Sequence, residues 1–199
     1  MAILERHNVL DVVCYVVDSA LDTMCEFRSP IKVGDRLQRH SEILSVQGKS
    51  GSTGQLVFVT VRHTHRGAQG GETIDEQRIV YREAPPAGSS PLPARAEPAP
   101  ADGEFVRHCS PDPVQLFRFS ALTFNGHRIH YDHPYVTAVE GYPGLVVHGP
   151  LIALEMLNAL QAAQPGLVLR SFDFTPKRPI TVPMTMHAHG KRDGDGWSL

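Results

Sequence analysis

The sequence has no apolar run long enough to cross a bilayer and no surplus of either charge. A membrane span needs about 20 consecutive apolar residues. A formal net charge of −2 gives no electrostatic reason to expect nucleic acid or an anionic membrane as a partner. Cysteine is scarce. Cys14, Cys25 and Cys109 form neither a disulfide framework nor a metal-ligand spacing, which fits a reducing interior. The opening stretch, Met1 to Phe27, is broken by Glu5, Arg6, Asp11, Asp18 and Asp22, and lacks the basic-then-apolar order of a secretion signal. The expectation is a cytoplasmic protein with no membrane and no nucleic-acid partner.

What is present is an ordinary globular composition. The chain has 199 residues, 41% hydrophobic and 20% charged, enough for one good core or two small ones. Its clearest boundary is Ala84 to Gly103, APPAGSSPLPARAEPAPADG. Proline denies this stretch both helix and central strand, and its small residues offer no face to bury. It reads as a linker (84–103) between an N-terminal unit (1–83) and a C-terminal unit (104–199).

In the first unit, three segments read as strands of an antiparallel meander. They are Ile31 to Leu37 with a bulge at Gly34-Asp35, Gln55 to His63, and Glu76 to Tyr81. Glycine-rich Gly48–Gly54 and Gly67–Gly71 are the expected turns. Leu4 to Leu21 fits strand or helix. In the second unit, Gln115 to Leu122 is read as a strand. Pro150 then leads into Leu151, Leu154, Leu157 and Leu160, an apolar face at helical spacing with proline suited to the first turn. Leu167–Phe174 and Ile180–His189 read as strands, and Trp197 begins another. A faint echo between Phe27-Arg-Ser-Pro-Ile-Lys-Val and Phe174-Thr-Pro-Lys-Arg-Pro-Ile-Thr-Val hints at two copies of one unit.

The chemistry concentrates in Phe119 to Gly149, FSALTFNGHRIHYDHPYVTAVEGYPGLVVHG. Its two halves, Ser120–Asp132 and Glu140–Pro150, closely resemble a run typical of the MaoC-like hydratases and dehydratases. The nearest branch holds mesaconyl-CoA hydratase and the mitochondrial-type 3-hydroxyacyl-thioester dehydratase. The likeness is strong from Phe117 to Ala159 and moderate from Pro30 to Glu83. It implies an α+β hot-dog fold, an antiparallel sheet wrapped around a central helix, here doubled with an incomplete first repeat. It also implies a hydro-lyase acting across the C2–C3 double bond of an acyl thioester carried by coenzyme A or acyl carrier protein. Coenzyme A would arrive with the substrate, and no other cofactor is implied. A homo-oligomer, most simply a dimer, is expected, because unpaired sheet edges are a liability.

Related hydratases place an aspartate five residues before a histidine. The matching positions here are Asn125 and His130, so the histidine is kept and the carboxylate is not. An imidazole titrates near pH 6.5 and serves as base or acid near neutrality, which makes His130 the candidate acid–base group. Asn125 can orient water by hydrogen bonding, and Asn-Gly is equally a turn dipeptide. The resemblance gives Gly149 the role of donating its amide to the thioester oxygen from the start of the helix. It marks Thr123, Phe124, Arg128, Tyr131, Val147 and His148 as lining the substrate. His148 has the alternative reading of a buried, satisfied polar group. The histidines at 127, 130 and 133 complete no standard metal spacing, so no metal is expected. Two other functions fit the same fold: a thioesterase, in which Asp132 or Glu140 would supply a carboxylate, and a non-catalytic thioester-binding subunit.

Overall fold

A computed structural model of the protein describes residues 20–51, 54–82 and 103–199. In chain order its first elements are β1 (Ala20–Ser29), β2 (Leu37–Gly51), β3 (Gly54–Gly67), β4 (Glu72–Arg82) and β5 (Phe105–Cys109). Then come α1 (Pro113–Thr123), a 3-10 turn (Arg128–His130), α2 (His133–Ala138), α3 (Gly149–Ala163), β6 (Ser171–Phe174), β7 (Met186–Asp193) and β8 (Gly196–Ser198). The chain divides into two compact units, Met1–Pro85 with Leu169–Pro176, and Pro86–Val168 with Lys177–Leu199. The expected element at Leu4–Leu21 falls almost wholly outside the described residues, as do the centre of the turn at Gly48–Gly54 and all of the linker except Gly103. Among the described residues no helix is long and apolar enough to cross a membrane.

The first unit is a five-stranded antiparallel sheet in the order β2-β3-β4-β1-β6. Alternation along the strands splits it into two faces. One face carries ion pairs across neighbouring strands, Arg62–Glu76 at 2.6 Å, Arg66–Glu72 at 2.7 Å and Arg78–Asp22 at 3.0 Å. The other is buried along β1, β3 and β4, at Cys25, His63, His65, Thr73, Asp75 and Gln77, while its β2 positions Arg39 and Ser41 are exposed. The expected meander is present as β2, β3 and β4, but its first strand begins later than Ile31. Residues 32–35 form a turn instead. The Asp35 amide donates to the Lys32 carbonyl at 3.0 Å, the Asp35 carboxylate accepts from the Lys32 amide at 3.1 Å, and Gly34 sits at φ +90°. An Asp side chain that closes its own turn outcompetes extended pairing. β6 belongs to this sheet, with Cys25 opposite Phe172, and not to the C-terminal unit in which the sequence places it. It is also shorter than Leu167–Phe174.

In the second unit α3 packs on β5 and β7, which pair antiparallel, with β8 beyond. The helix follows its leucine spacing: Leu151, Leu157 and Leu160 are buried. Leu151 shares a core with Cys109, Leu116, Val136, Leu145, Val146, Val147 and Met186. The Gln115–Leu122 segment is a helix, not a strand. Asp112 accepts from the Gln115 amide at 2.7 Å and Pro113 occupies the first turn, so the helix start is built before the first apolar residue. Leu116 and Ser120, four apart, are its buried positions. Ile180–His189 is likewise not one strand. Thr181 makes an isolated bridge to Val146, and the strand proper starts at Met186.

Candidate active site

The motif segment is a chain of local locks that ends on one histidine. α1 closes at Phe124, whose φ of 54° is unusual for a residue with a β-carbon, and the Asn125 amide returns to the Ser120 carbonyl at 2.9 Å. Asn125 Oδ1 then accepts from the His127 amide at 3.0 Å. Tyr131 donates its hydroxyl to the Gly126 carbonyl at 2.8 Å, closing the loop. Asp132 caps α2 through the Tyr135 amide at 3.1 Å and takes two bonds from Arg128, at 3.0 and 2.8 Å. These donors hold its carboxyl below the usual carboxylate range, Arg128 first.

The 3-10 turn presents His130 inward, 7% exposed. The Val146 amide donates to the Ile129 carbonyl at 3.0 Å, and His130 Nδ1 lies 2.7 Å from the Val146 carbonyl. A carbonyl can only accept, so Nδ1 carries the proton and Nε2 is the basic nitrogen of the neutral ring. The ring stacks on His148, centroids 3.7 Å apart and planes 17° off parallel, while His127 meets it edge-on at 5.6 Å.

His148 is the residue that caps α3, and Gly149 is the helix's first residue. Pairing of Leu145–Val147 with Ile180–Val182 brings the chain to that point: Val147 donates to Ile180 at 2.8 Å and Val182 to Leu145 at 2.9 Å. At an N-terminus the first amides have no partner within the helix. Pro150 has none to offer, which leaves those of Gly149 and Leu151. Their dipole end is positive and suits a developing oxyanion. His148 is 1% exposed, with Nε2 2.8 Å from Ser120 Oγ. Burial, followed by the nearby charges of His130 and His127, pushes it down to about 3, so it is neutral.

The structure thus gathers His130, His148 and Gly149 at the start of α3. Val147 is 3% exposed and packs in the core beside them. Thr123 donates to the Phe119 carbonyl at 2.7 Å within α1, and the Phe124 ring is 65% exposed. Arg128 is committed to Asp132 and lies 3.9 Å over the Tyr135 ring. Glu140 accepts from the Tyr135 hydroxyl at 2.7 Å. Sequence reasoning missed Ser120 as the partner of His148, because a serine inside an apparent strand gives no hint of a contact 28 residues away. It also missed a buried polar row in the first unit. Its signal was His63-Thr-His65 and Asp75-Glu-Gln77, polar residues at alternate positions of two adjacent strands.

A family model for hydroxyacyl-thioester dehydratase type 2 matches residues 21–182. The chain is 42% identical over 165 residues to the mesaconyl-C(4)-CoA hydratase of Chloroflexus aurantiacus, an overlap of 79% of this chain and 58% of that one. The chain therefore spans little more than half the length of this curated relative. Among solved structures, a MaoC-like dehydratase from Phytophthora capsici superposes with a TM-score of 0.65 at 16% identity, covering 89% of this chain and 63% of that one. A Mycobacterium tuberculosis protein described as a double hot-dog fold gives 0.53 at 16% identity, covering 91% and 66%. The fold is the hot-dog fold, and the chain belongs to the hydroxyacyl-thioester dehydratase type 2 family.

Proposed function

We propose that the chain carries out reversible hydration of an α,β-unsaturated acyl-CoA thioester, with His130 as the acid–base group. The observation that carries this reading is the stacking of His130 on His148, the capping residue of α3, which sets a basic Nε2 beside a helix N-terminus. Water attacks C3 and gives its proton to Nε2. The electron pair of the double bond moves onto the thioester, where the oxygen takes negative charge facing the Gly149 amide. Nε2 then returns the proton to C2, so one imidazole balances the addition of H and OH. Dehydration is the same path reversed. The substrate brings its own coenzyme A, and no further cofactor is needed. Asn125 supports the histidine loop through its bond to the His127 amide.

The family match and the similarity to a hydratase that acts on mesaconyl-C(4)-CoA support the thioester class. A thioesterase would use a carboxylate against the carbonyl, whereas Asp132 and Glu140 are each engaged around α2. A homodimer and a cytoplasmic setting belong to the same reading. The test follows crotonyl-CoA with two readouts, loss of the conjugated enoyl absorbance and release of free thiol. The expected result is enoyl loss without thiol. Thiol release at the rate of substrate consumption would replace the hydratase with a thioesterase.

A further inference from the structure

The sheet of the second unit has one face under α3 and one face turned away from it. β5 and β7 pair with Val106 opposite His189, His108 opposite His187 and Cys109 opposite Met186. Side chains alternate between the two faces of a strand. Cys109 and Arg107 both reach Glu155 of α3, at 3.3 and 3.7 Å, and Met186 and Ala188 are buried on the same side. His108 and His187 therefore stand together on the side away from the helix, His108 exposed and His187 half-buried. Ser110 and Thr185 make the next rung, with their hydroxyl oxygens 3.1 Å apart.

The two imidazoles meet edge to face. Their ring centroids are 4.7 Å apart with planes 85° from parallel, and their Nδ1 atoms are 2.7 Å apart. At that distance one Nδ1 carries a hydrogen and the other accepts it with its lone pair. A neutral imidazole can hold its hydrogen on either nitrogen. With both hydrogens on Nε2, a modest rotation of the rings turns two lone pairs toward one third atom. The spacing selects what that atom is. Metal–imidazole bonds are about 2.0–2.1 Å long. Two such bonds at a right angle put their nitrogens about 2.9 Å apart, and at a tetrahedral angle about 3.3 Å. The observed 2.7 Å lies nearer the right angle. Nitrogen ligands in that arrangement suit nickel(II) and copper(II), whereas calcium and magnesium prefer oxygen. Among the described residues no three histidine, cysteine or carboxylate side chains converge on a metal position, so water completes the coordination.

We infer that His108 and His187 form a two-imidazole site for a divalent ion that takes its ligands at right angles, nickel(II) or copper(II). The ion staples β5, at the edge of its sheet, to β7. The face is open enough for water on the ion, and Ser110 and Thr185 set two hydroxyls beside the pair. His189 shares the face but stands opposite Val106, one rung away, and is not a ligand. The site lies within the second unit and does not depend on the hydratase reading.

Calorimetric titration of the full chain with nickel(II) chloride tests the site, with zinc(II) chloride as competitor. The expected result is one nickel ion per chain, held more tightly than zinc. Removing either imidazole leaves a single ligand, so His108→Ala and His187→Ala each weaken binding by about tenfold or more. His189→Ala binds as the wild type does. Circular dichroism verifies that each variant is folded. Because the ion binds the folded pair only, nickel also raises the thermal midpoint of the wild type and of His189→Ala, and leaves those of the other two variants unchanged. No nickel binding by the wild type overturns the proposal. So does binding that survives in folded His108→Ala and His187→Ala, or an equal loss in His189→Ala. Zinc held more tightly than nickel overturns the right-angle geometry, and with it the choice of ion.

Discussion

At the scale of single residues, the site stacks two imidazoles, His130 on His148, and burial keeps the second of them neutral. His148 is buried between His130, Phe119 and Ser120, with ring centroids 3.7 Å from His130 and 4.8 Å from Phe119. Its Nδ1 already lacks a partner, so Ser120 Oγ supplies the one hydrogen bond that its ring makes among the described residues. Ser120→Ala should therefore lower stability by about 1–3 kcal/mol, the cost of a second unpartnered buried nitrogen. Urea unfolding of the variant measures it, and an unchanged midpoint would show that Ser120 does not hold the ring. Asn125 is legible in sequence in two ways, as a water-orienting group and as a turn former. Its Oδ1 serves the turn. Sequence could not separate the two, because the partner is a backbone amide that any residue at position 127 except proline would provide.

Among the elements, the approach to α3 is the part most tightly specified. Gly144 is buried, and a β-carbon there would run into the backbone carbonyl of Val182, in the segment that pairs with Leu145–Val147. Gly144→Ala should cost about 1–3 kcal/mol, as overpacking of a buried site does. It should also reduce turnover, since the displaced segment carries His148 and Gly149. Thermal unfolding and enoyl-CoA turnover of the one variant check both effects, and a variant as stable and active as the wild type would contradict the packing. α3 itself was readable because Pro150 and the leucine spacing agree. α1 was not, because Leu116, Phe117 and Phe119 imitate a buried strand, while the deciding signals, Asp112 and Pro113, lie just before the segment. The strand expected from Ile31 gave way to a turn for the same reason: Asp35 bonds locally, and β-type alternation does not register that. The polar row of the first unit was hidden further, because His63 meets Asp75 only through the β3–β4 register.

Over the whole molecule, four buried groups tilt the way stability varies with pH: His148, His65, His63 and Asp75. Burial pushes His148 down to about 3 and His65 down to about 4. Between those values and the ordinary 6.5, the unfolded chain binds protons that the folded chain does not. Their stabilisation is complete above 6.5 and is lost as the pH falls. Asp75, pushed up to about 7, works the other way. Its folded form keeps a proton that the unfolded form releases above 3.8, so its contribution is present in acid and is lost as the pH rises through 7. From about pH 4.5 to 6.5 His148 and His65 alone outweigh the carboxyl by one proton, and His63, lowered by burial and then by Arg39, adds to them in the same direction. These groups together should then make stability rise by at least about 1.4 kcal/mol per pH unit. Asp75→Asn removes the opposing proton and should steepen that slope by about the same amount, as read from urea unfolding across the range. An unchanged slope would mean that Asp75 is ionised in the fold. The most direct test of the proposed hydration is turnover of crotonyl-CoA by wild type and His130→Ala, each verified as folded by circular dichroism. Measurable turnover is expected of the wild type, with a fall on the order of a hundredfold to ten-thousandfold in the variant. Equal rates in the two proteins would remove His130 from the acid–base role proposed for it.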